Sequence, residues 1–381
     1  MGCIFFSVSV KVYMSVLKDI VIVGNGSIGV DNDGAGYINK HTGKLLNILI
    51  AEGIKLTYVE LVTKYDKHFQ NFCLQEHAIN SFEFHSHSKL AIIKSVIHFI
   101  ICLGGKDFFY IFYPGTLGRL IALFCLTARR KYGLYVRGEK YKQNWLDLII
   151  LRNSCFILTI SPSLEKDLKN YNPSVQTIKP MNDLTPNDVF KRCRLTNPPD
   201  CWNLLYVGAI QEDKGINELM EMTRLLKTKG INFKLRIVGG GELFASILHD
   251  KQTGIWGEEI EPVGLITNKH ELMQEYEKAH IFVFPSHHEG FPRVLYEAMI
   301  KSLPILTTFV GGISGRMHDG VNCIQIPVKD SAALVLIIEQ LMNDLSMMKH
   351  IGDNGLLTVL NVLENEKPQS ELLLGYLAAN A

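Results

Sequence analysis

Two glutamates eight positions apart are the residues of this chain best suited to hold a polar ligand. Glu289 lies in a loop bounded by proline and glycine, after the apolar run Ile281–Phe284, which predicts a buried strand. Glu297 falls in the helix that the next apolar residues predict. A loop carboxylate can accept hydrogen bonds from sugar hydroxyls, and the start of a helix favours phosphate. The pattern predicts a site for a polyhydroxylated, phosphate-bearing ligand, although spacing alone fits a capping and a solvated glutamate equally well.

Four sequence blocks, in order between residues 204 and 341, add a family resemblance. They resemble the retaining glycosyltransferases of family 4, which have the GT-B fold. The resemblance implies an α/β protein with two Rossmann-like doubly wound domains facing a central cleft. The blocks are LLYVGAIQEDKGI (204–216), LRIVGGGE (235–242), residues 263–286 followed by EGFPRVLYEAM (289–299), and VGGISGRMHDGVNCIQIPVKD (310–330).

The resemblance implies a role for each matching residue. Glu289 would lie beside the transferred sugar as the catalytic carboxylate, Glu297 would contact the nucleotide ribose, and Lys214 would bind the diphosphate. The implied reaction is metal-independent transfer, with retention of anomeric configuration, from a nucleoside-diphosphate sugar that is the substrate; no cofactor is implied. The other implied donor-binding residues are Gly208, Gly239, Gly240, Gly290, Phe291, Pro292 and Arg293.

Two positions depart from the family pattern. Many members carry arginine where this chain has Ala209, and many carry glutamate near Gly315. The number of phosphate-binding cations is therefore uncertain, with Arg293 a candidate to compensate. A sugar-nucleotide-binding homologue with weak catalysis stays open as an alternative.

The first half of the chain contains a glycine pattern with a second interpretation. Residues 24–29 satisfy G-x-G-x-x-G after the strand Asp19–Val23, which is the signature of a dinucleotide site and leaves an NAD-dependent oxidoreductase as a minor alternative. That signature should open a helix, whereas the predicted helix starts only near Tyr37. Asp31 and Asp33 form a D-x-D pattern that could hold a metal, but solvated loop aspartates are the favoured interpretation.

Four residues of the first half are candidates for the cleft and the acceptor. Gly34 and Gly36 precede the predicted helix. Arg137 and Glu139 follow a predicted strand, in a segment that resembles bacterial cell-surface polysaccharide glycosyltransferases. At a strand end they could orient acceptor hydroxyls, and a surface ion pair fits them equally well.

Length and composition set the remaining expectations. A chain of 381 residues is long enough for two domains, and alternating strands and helices predict parallel sheets. The net charge of +1 gives no support for nucleic-acid binding. The expected partners are a nucleotide sugar and a glycan or lipid-linked acceptor. We expect a cytoplasmic protein with at most peripheral contact with the inner face of the plasma membrane. The predicted domains are 1–195 (acceptor side), 196–350 (donor side) and a helical tail, 351–381, that crosses back to the first domain.

Overall fold

The structure is a computed structural model. It describes residues 19–65, 70–77, 79–85, 108–137, 141, 144–179, 184–190, 197–290 and 292–379. The chain divides into two compact units, of which the first comprises Met1–Met181 and Lys367–Ala381 and the second Asn182–Glu366. Each unit is an α/β domain with its own sheet.

The first unit is built on strands with long apolar runs. All six residues of Phe108–Tyr113 are buried, as expected for a parallel strand covered on both faces. Its strands are β1 (Asp19–Val23), β2 (Ile28–Val30), β3 (Gly36–Ile38), β4 (Lys55–Lys64), β5 (Phe72–Cys73), β6 (Asn80–His85), β7 (Phe108–Tyr113), β8 (Lys131–Val136), β9 (Ile157–Thr159) and β10 (Val175–Thr177). Its helices before the second unit are α1 (Lys40–Ala51), α2 (Thr116–Thr127), α3 (Trp145–Asn153) and α4 (Pro162–Leu168).

These strands form one sheet in the order β10-β9-β8-β7-β1-β4-β2-β3-β5, with β6 also paired to β4. The pairs from β10 to β4 are parallel, as are β4–β6 and β2–β4. The hairpin β2–β3 and the pair β3–β5 are antiparallel. Strand β1 is therefore in the interior of the sheet, with later strands added on both sides of it, as in a doubly wound sheet.

The second unit has a six-stranded sheet in which each recorded pairing is parallel. Its order is β13-β12-β11-β14-β15-β16, so the direction of winding reverses between β11 and β14. The strands are β11 (Trp202–Val207), β12 (Phe233–Val238), β13 (Ile260–Gly264), β14 (Ile281–Phe284), β15 (Ile305–Thr307) and β16 (Ile324–Gln325). The helices are α5 (Ile216–Thr228), α6 (Phe244–Gln252), α7 (Lys269–Lys278), α8 (Arg293–Ile300), α9 (Ser331–Asn343) and α10 (Leu345–Asn365).

The last helix, α11 (Gln369–Ala379), returns the chain to the first unit. Leu373 and Leu377 are buried in the core of that unit, and the Tyr376 ring stacks on Phe156 with centroids 4.2 Å apart. Gln369 Nε2 donates a hydrogen bond of 2.8 Å to the Tyr110 hydroxyl of β7. This helix is therefore an integral part of the first unit.

The unit boundaries differ from the predicted positions 195/196 and 350/351. Leu184 is buried in the core of the second unit, and Phe190 N donates to Ile300 O at 3.1 Å. Residues 184–190 thus pack on the second unit. At the other end, α10 runs to Asn365 without a break, so the chain leaves the second unit only after Glu366.

Most predicted elements of the first half have the predicted type, with one correction. Tyr37 lies in strand β3 and not in a helix, because residues 28–38 form a β-hairpin and α1 begins only at Lys40. The predicted helix over residues 90–102 lies outside the described residues.

The length and composition of the helices show whether one of them could cross a membrane. Among the described helices, none is by itself both long and apolar enough to cross a membrane. Only α9 and α10 taken together, bent by 99°, reach that length and composition. Both contribute many residues to the core of the second unit.

Candidate functional site

The candidate site begins where the winding of the second sheet reverses. Strands β11 and β14 are parallel neighbours, so the loops that follow them leave the sheet at the same edge. Ligands of doubly wound sheets bind at such a switch point, beyond the carboxyl ends of the strands. The loop after β11 carries Gly208 and Lys214, and the loop after β14 carries Glu289 and Gly290.

Lys214 and Glu289 meet across these two loops. Lys214 Nζ lies 2.8 Å from Glu289 Oε1 and 2.9 Å from the His288 carbonyl oxygen. The side chains are 20% and 14% exposed, so the pair is largely shielded but still reachable from solvent. An ammonium group has three donors, and these two contacts leave one of them for a phosphate oxygen.

The Glu289 loop is held by short-range contacts. Ser286 is fully buried, and its hydroxyl donates to Glu289 Oε1 at 2.9 Å. Gly312 N donates to Gly290 O at 2.7 Å. Gly311 has a φ of +57°, and a Cβ at this position would lie 1.8 Å from the Glu289 carbonyl oxygen. The loop after β15 therefore supports the Glu289 backbone at a distance that only glycine allows.

The glycine loop after β12 packs against the loop after β11. Gly208 N donates to Val238 O at 3.0 Å, and Gly240 O accepts from Ile210 N at 2.9 Å. Gly239 has a φ of +143°, and a Cβ there would lie 1.9 Å from the Gly208 carbonyl oxygen. The predicted donor-binding residues Gly208, Gly239 and Gly240 thus lie together in two loops that contact each other through the backbone.

Glu297 occupies a separate position on α8. Its Oε2 accepts a hydrogen bond of 2.8 Å from the hydroxyl of Tyr276 on α7. Burial raises the pKa of Tyr276 well above its usual range, so this phenol stays a donor. Arg293, in the first turn of α8, is exposed and acts on Tyr276 through its charge. Glu297 is therefore fixed by Tyr276, and Arg293 is the cation closest to it on the helix.

The start of α8 suits an anion. Pro292 is the N-cap residue, with a φ of −75°, and no side chain caps the helix. The first N–H groups of such a helix lack intrahelical acceptors and carry partial positive charge. Phe291, the remaining residue predicted for this loop, lies outside the described residues.

In the first unit, the three described candidates of the sequence lie in two places. Gly34 and Gly36 belong to the hairpin β2–β3, where Gly34 N donates to Asp31 O at 3.2 Å and Gly36 N to Gln75 Oε1 at 2.9 Å. Arg137 follows β8 directly and is exposed. Glu139 lies outside the described residues.

The two alternative patterns of the first unit have structural explanations. The chain from the glycine motif continues into strand β2 and not into a helix, so the geometry of a dinucleotide fingerprint is missing there. Asp31 Oδ1 accepts hydrogen bonds from Asp33 N at 3.0 Å and Ala35 N at 2.8 Å. Its carboxylate thus shapes a turn, and the described residues contain no group of three or more His, Cys, Asp or Glu side chains placed for a metal.

Sequence reasoning missed three contributors to the site. Ser286 is the second residue after β14, and this position at the carboxyl end of a strand was the available signal. Asp213 Oδ2 lies 3.6 Å from Lys214 Nζ and adds negative charge beside it. Tyr276 carries no local signal, because its approach to Glu297 depends on how α7 and α8 pack.

Comparison with known proteins agrees with this geometry. Residues 190–357 match the family of glycosyl transferases group 1. The capsular polysaccharide biosynthesis glycosyltransferase CapM of Staphylococcus aureus is 34% identical over 167 residues, which are 44% of this chain and 43% of CapM. The amylovoran biosynthesis glycosyltransferase AmsK of Erwinia amylovora is 30% identical over 144 residues, 36% of this chain and 35% of AmsK. The chain thus spans less than half the length of these two relatives.

Solved structures extend the likeness to both units. Anabaena Alr3699/HepE in complex with UDP superposes with a TM-score of 0.64 at 15% identity, over 94% of this chain and 100% of that one. Sucrose-phosphate synthase from Thermosynechococcus elongatus gives 0.62 at 18% identity, over 95% and 98%. At such identities the likeness concerns the fold.

Two doubly wound units, the second with a Lys–Glu pair at its switch point, define an α/β protein of the GT-B fold class, as predicted. Residues 190–357 match the family of glycosyl transferases group 1, which confirms the resemblance seen in the sequence.

Proposed function

We propose that this protein transfers a sugar from a nucleoside-diphosphate sugar to a glycan or lipid-linked acceptor in the synthesis of a cell-surface polysaccharide. The observation that carries the proposal is the contact of Lys214 Nζ with Glu289 Oε1 at the switch point of the second unit. CapM and AmsK are both named as polysaccharide biosynthesis glycosyltransferases, which supports the class of product.

In this proposal the second unit binds the donor. The free donor of Lys214 and the uncapped start of α8 bind the diphosphate, whose negative charge grows as it leaves the sugar. Glu297, held by Tyr276, accepts hydrogen bonds from the ribose. Arg293 supplies a further cation near the start of α8. In this proposal it compensates for the arginine that many family members carry where this chain has Ala209.

Glu289 acts on the sugar. A sugar whose bond to the diphosphate is breaking resembles an oxocarbenium ion, and a nearby carboxylate stabilises its positive charge. Ser286 and Lys214 both donate to Oε1, so the side chain is oriented before the donor binds. The reaction retains the anomeric configuration and needs no metal or cofactor; both statements rest on the resemblance to retaining family 4.

The protein acts in the cytoplasm in this proposal, with at most peripheral contact with the plasma membrane. The apolar face of helix α2 is buried in the core of the first unit. Arg119 of that helix forms an ion pair of 2.8 Å with the buried Asp147.

A turnover experiment tests the proposal. Each of a panel of UDP- and GDP-sugars is incubated with the protein and a bacterial membrane extract, without and with EDTA, and the anomeric configuration of the product is read by NMR. We expect transfer from one donor with retention, unaffected by EDTA and lost in Glu289→Gln. Diphosphate binding without transfer from any donor would favour the alternative, a weakly catalytic sugar-nucleotide-binding homologue.

A further inference from the structure

A second polar site lies at the edge of the first unit where β8, β7 and β1 end. These three strands are adjacent and parallel, so Arg137, Pro114 and Gly24, the residues after them, emerge at the same edge. The winding of this sheet reverses between β7 and β1, which is the position where a doubly wound sheet binds ligands.

The loop after β1 is built around a buried carboxyl group. Glu60 of β4 is only 3% exposed, and it accepts hydrogen bonds from Gly26 N and from the Tyr58 hydroxyl. A Cβ on Gly24 would lie 2.3 Å from both Glu60 Oε2 and the Tyr58 hydroxyl. Gly24 therefore makes room for the Glu60 carboxyl group, which explains the first glycine of a pattern that resembles a dinucleotide motif.

The same loop is tied to the turn after β7. Asn25 Nδ2 donates to Pro114 O at 2.6 Å. A Cβ on Gly115 would lie 2.4 Å from Asn25 Oδ1, so the two loops are in close contact. Glu60, through Gly26, thus fixes the position of two adjacent loops at the edge of the sheet.

Arg137 provides the positive charge of this edge. Its guanidinium carbon lies 5.5 Å from the ring centroid of Phe112 and 5.6 Å from that of Tyr135, within the range of a cation–π contact with each ring. The side chain is exposed, and among the described residues no carboxylate lies within ion-pair distance of it. The planar fork of N–H donors of a guanidinium matches a carboxylate or a phosphate.

Glu60 is coupled to Arg137 by charge. Burial raises the pKa of Glu60 to about 7, while hydrogen bonds from Tyr58 and Gly26 and the charge of Arg137 act in the opposite direction. The positive charge of Arg137 lowers the pKa of Glu60, and an anion that neutralises this charge weakens that effect, so Glu60 binds its proton more firmly when the anion is present. The protein should therefore take up a proton when an anion binds near neutral pH.

We propose that this edge of the first unit binds a negatively charged group of the acceptor substrate, a phosphate or a carboxylate, through Arg137, with Glu60 as the residue that positions the site. The assignment to the acceptor rests on the proposed function, because Lys214 in the second unit already accounts for the diphosphate of the donor. Arg137 contacts the substrate in this proposal, and Glu60 acts through the loop and through its charge.

Binding of small probes to the full-length protein tests the proposal. Inorganic phosphate, glucuronate and glucose are titrated by ligand-observed NMR into wild type, Arg137→Gln and Arg152→Gln, the last being a control with another exposed arginine. We expect phosphate or glucuronate, but not glucose, to bind, and Arg137→Gln to weaken that binding about tenfold, as loss of a charge-assisted contact does. Phosphate alone would indicate a phosphate-bearing acceptor, and glucuronate an acidic sugar.

The pH dependence of glucuronate binding tests the role of Glu60. Glucuronate keeps its charge over the neutral range, so its affinity should rise several-fold from about pH 8 to about pH 6 as Glu60 is protonated. Glu60→Gln should bind as wild type does at low pH and lose this dependence. An unchanged dependence in Glu60→Gln would overturn the role of Glu60.

A Lys214→Ala variant separates this proposal from the proposed function. Probe binding that survives in Lys214→Ala and falls in Arg137→Gln supports a separate site in the first unit. Probe binding that is absent, equally weakened by Arg152→Gln, or lost in Lys214→Ala would overturn it. UDP and GDP binding unaffected by Lys214→Ala would instead contradict the donor site, whatever the probes show.

Discussion

At the scale of single residues, the account depends on the charge of Glu289. Glu289→Gln keeps the shape of the side chain and an acceptor for Lys214 and Ser286, but removes the negative charge beside the sugar. We expect kcat to fall about 100-fold or more, a typical effect of removing one transition-state contact, with little change in donor KM. Steady-state kinetics of Glu289→Gln measure this, with Glu221→Gln as the control, a glutamate on α5 whose side chain is 43% exposed and pairs with Arg224. A donor KM that rises while kcat stays unchanged would mean that Glu289 only binds substrate.

Tyr276 offers a second test at this scale. Tyr276→Phe removes the hydroxyl that holds Glu297 Oε2 and leaves the buried ring in place. One such hydrogen bond contributes about 1 kcal/mol, so the affinity for the nucleoside diphosphate should fall about fivefold. Titration calorimetry with the diphosphate measures the loss. Equal affinity in Tyr276→Phe and wild type would show that Glu297 needs no such support or makes no contact with the nucleotide.

The buried Glu60 gives a pH prediction. Burial raises the pKa of Glu60 from 4.5 to about 7, so between these pH values the folded protein holds a proton that the unfolded chain has released. The folded state therefore loses stability as the pH rises through this window. Glu60→Gln should therefore be more stable than wild type above neutral pH, by up to about 3 kcal/mol, and gain nothing at low pH. Urea unfolding of both proteins across this range measures the difference. A difference that does not change with pH would show that Glu60 keeps an ordinary pKa.

At the scale of elements, the central feature is how closely loops approach each other around the site. Gly311→Ala would place a methyl group against the Glu289 carbonyl oxygen, whereas Gly320→Ala, at a φ of +69°, meets nothing within 4 Å. Both changes strain the backbone by about 1 to 2 kcal/mol, so the difference between the two variants isolates the clash. We expect Gly311→Ala to lose clearly more stability and most activity, as measured by urea unfolding and turnover. Similar losses in the two variants would mean that the contact is not essential.

Elements also show what the sequence could and could not predict. The strand Ile281–Phe284 and the helix carrying Glu297 followed from apolar periodicity and turn residues. The direct contact of Lys214 with Glu289 did not, because the family blocks assign these residues to different parts of the donor. The hairpin β2–β3 did not, because its strands have three residues each and carry no periodicity to distinguish them from a loop. Glu60 was missed for a related reason: the pattern of a single glutamate in a strand indicates a solvent-facing side chain, whereas in the fold this carboxyl group is buried and packs closely against Gly24.

At the scale of the whole molecule, the chain forms two units of which the first is discontinuous in sequence. The linker-like composition near residue 196 suggested a boundary that tertiary contacts override, since Leu184 and Phe190 pack on the second unit. Composition reports local flexibility, whereas the boundary depends on which core buries each side chain.

This arrangement predicts the effect of removing the last helix. Ending the chain after Glu366 deletes Leu372, Leu373 and Leu377, each at most 8% exposed. Burying such a leucine stabilises by about 1.5 to 3 kcal/mol, so the loss approaches the total stability of a domain. We expect calorimetry to show the first unit unfolded or melting much earlier, with the transition of the second unit retained. Glu371→Gln, an exposed position on the same helix, serves as the control, and an unchanged profile after truncation would contradict the assignment of α11 to the first unit.

The most direct test of the whole account is a binding measurement on the pair at the switch point. Titration calorimetry with UDP, GDP, ADP and NAD is carried out on wild type and on Lys214→Ala, with Lys227→Ala, an exposed lysine of α5, as the matched control. The account predicts that one nucleoside diphosphate binds wild type and Lys227→Ala alike and binds Lys214→Ala at least about tenfold more weakly, because a charge-assisted contact is lost. Binding of NAD alone, or diphosphate binding that is indifferent to Lys214, would contradict it.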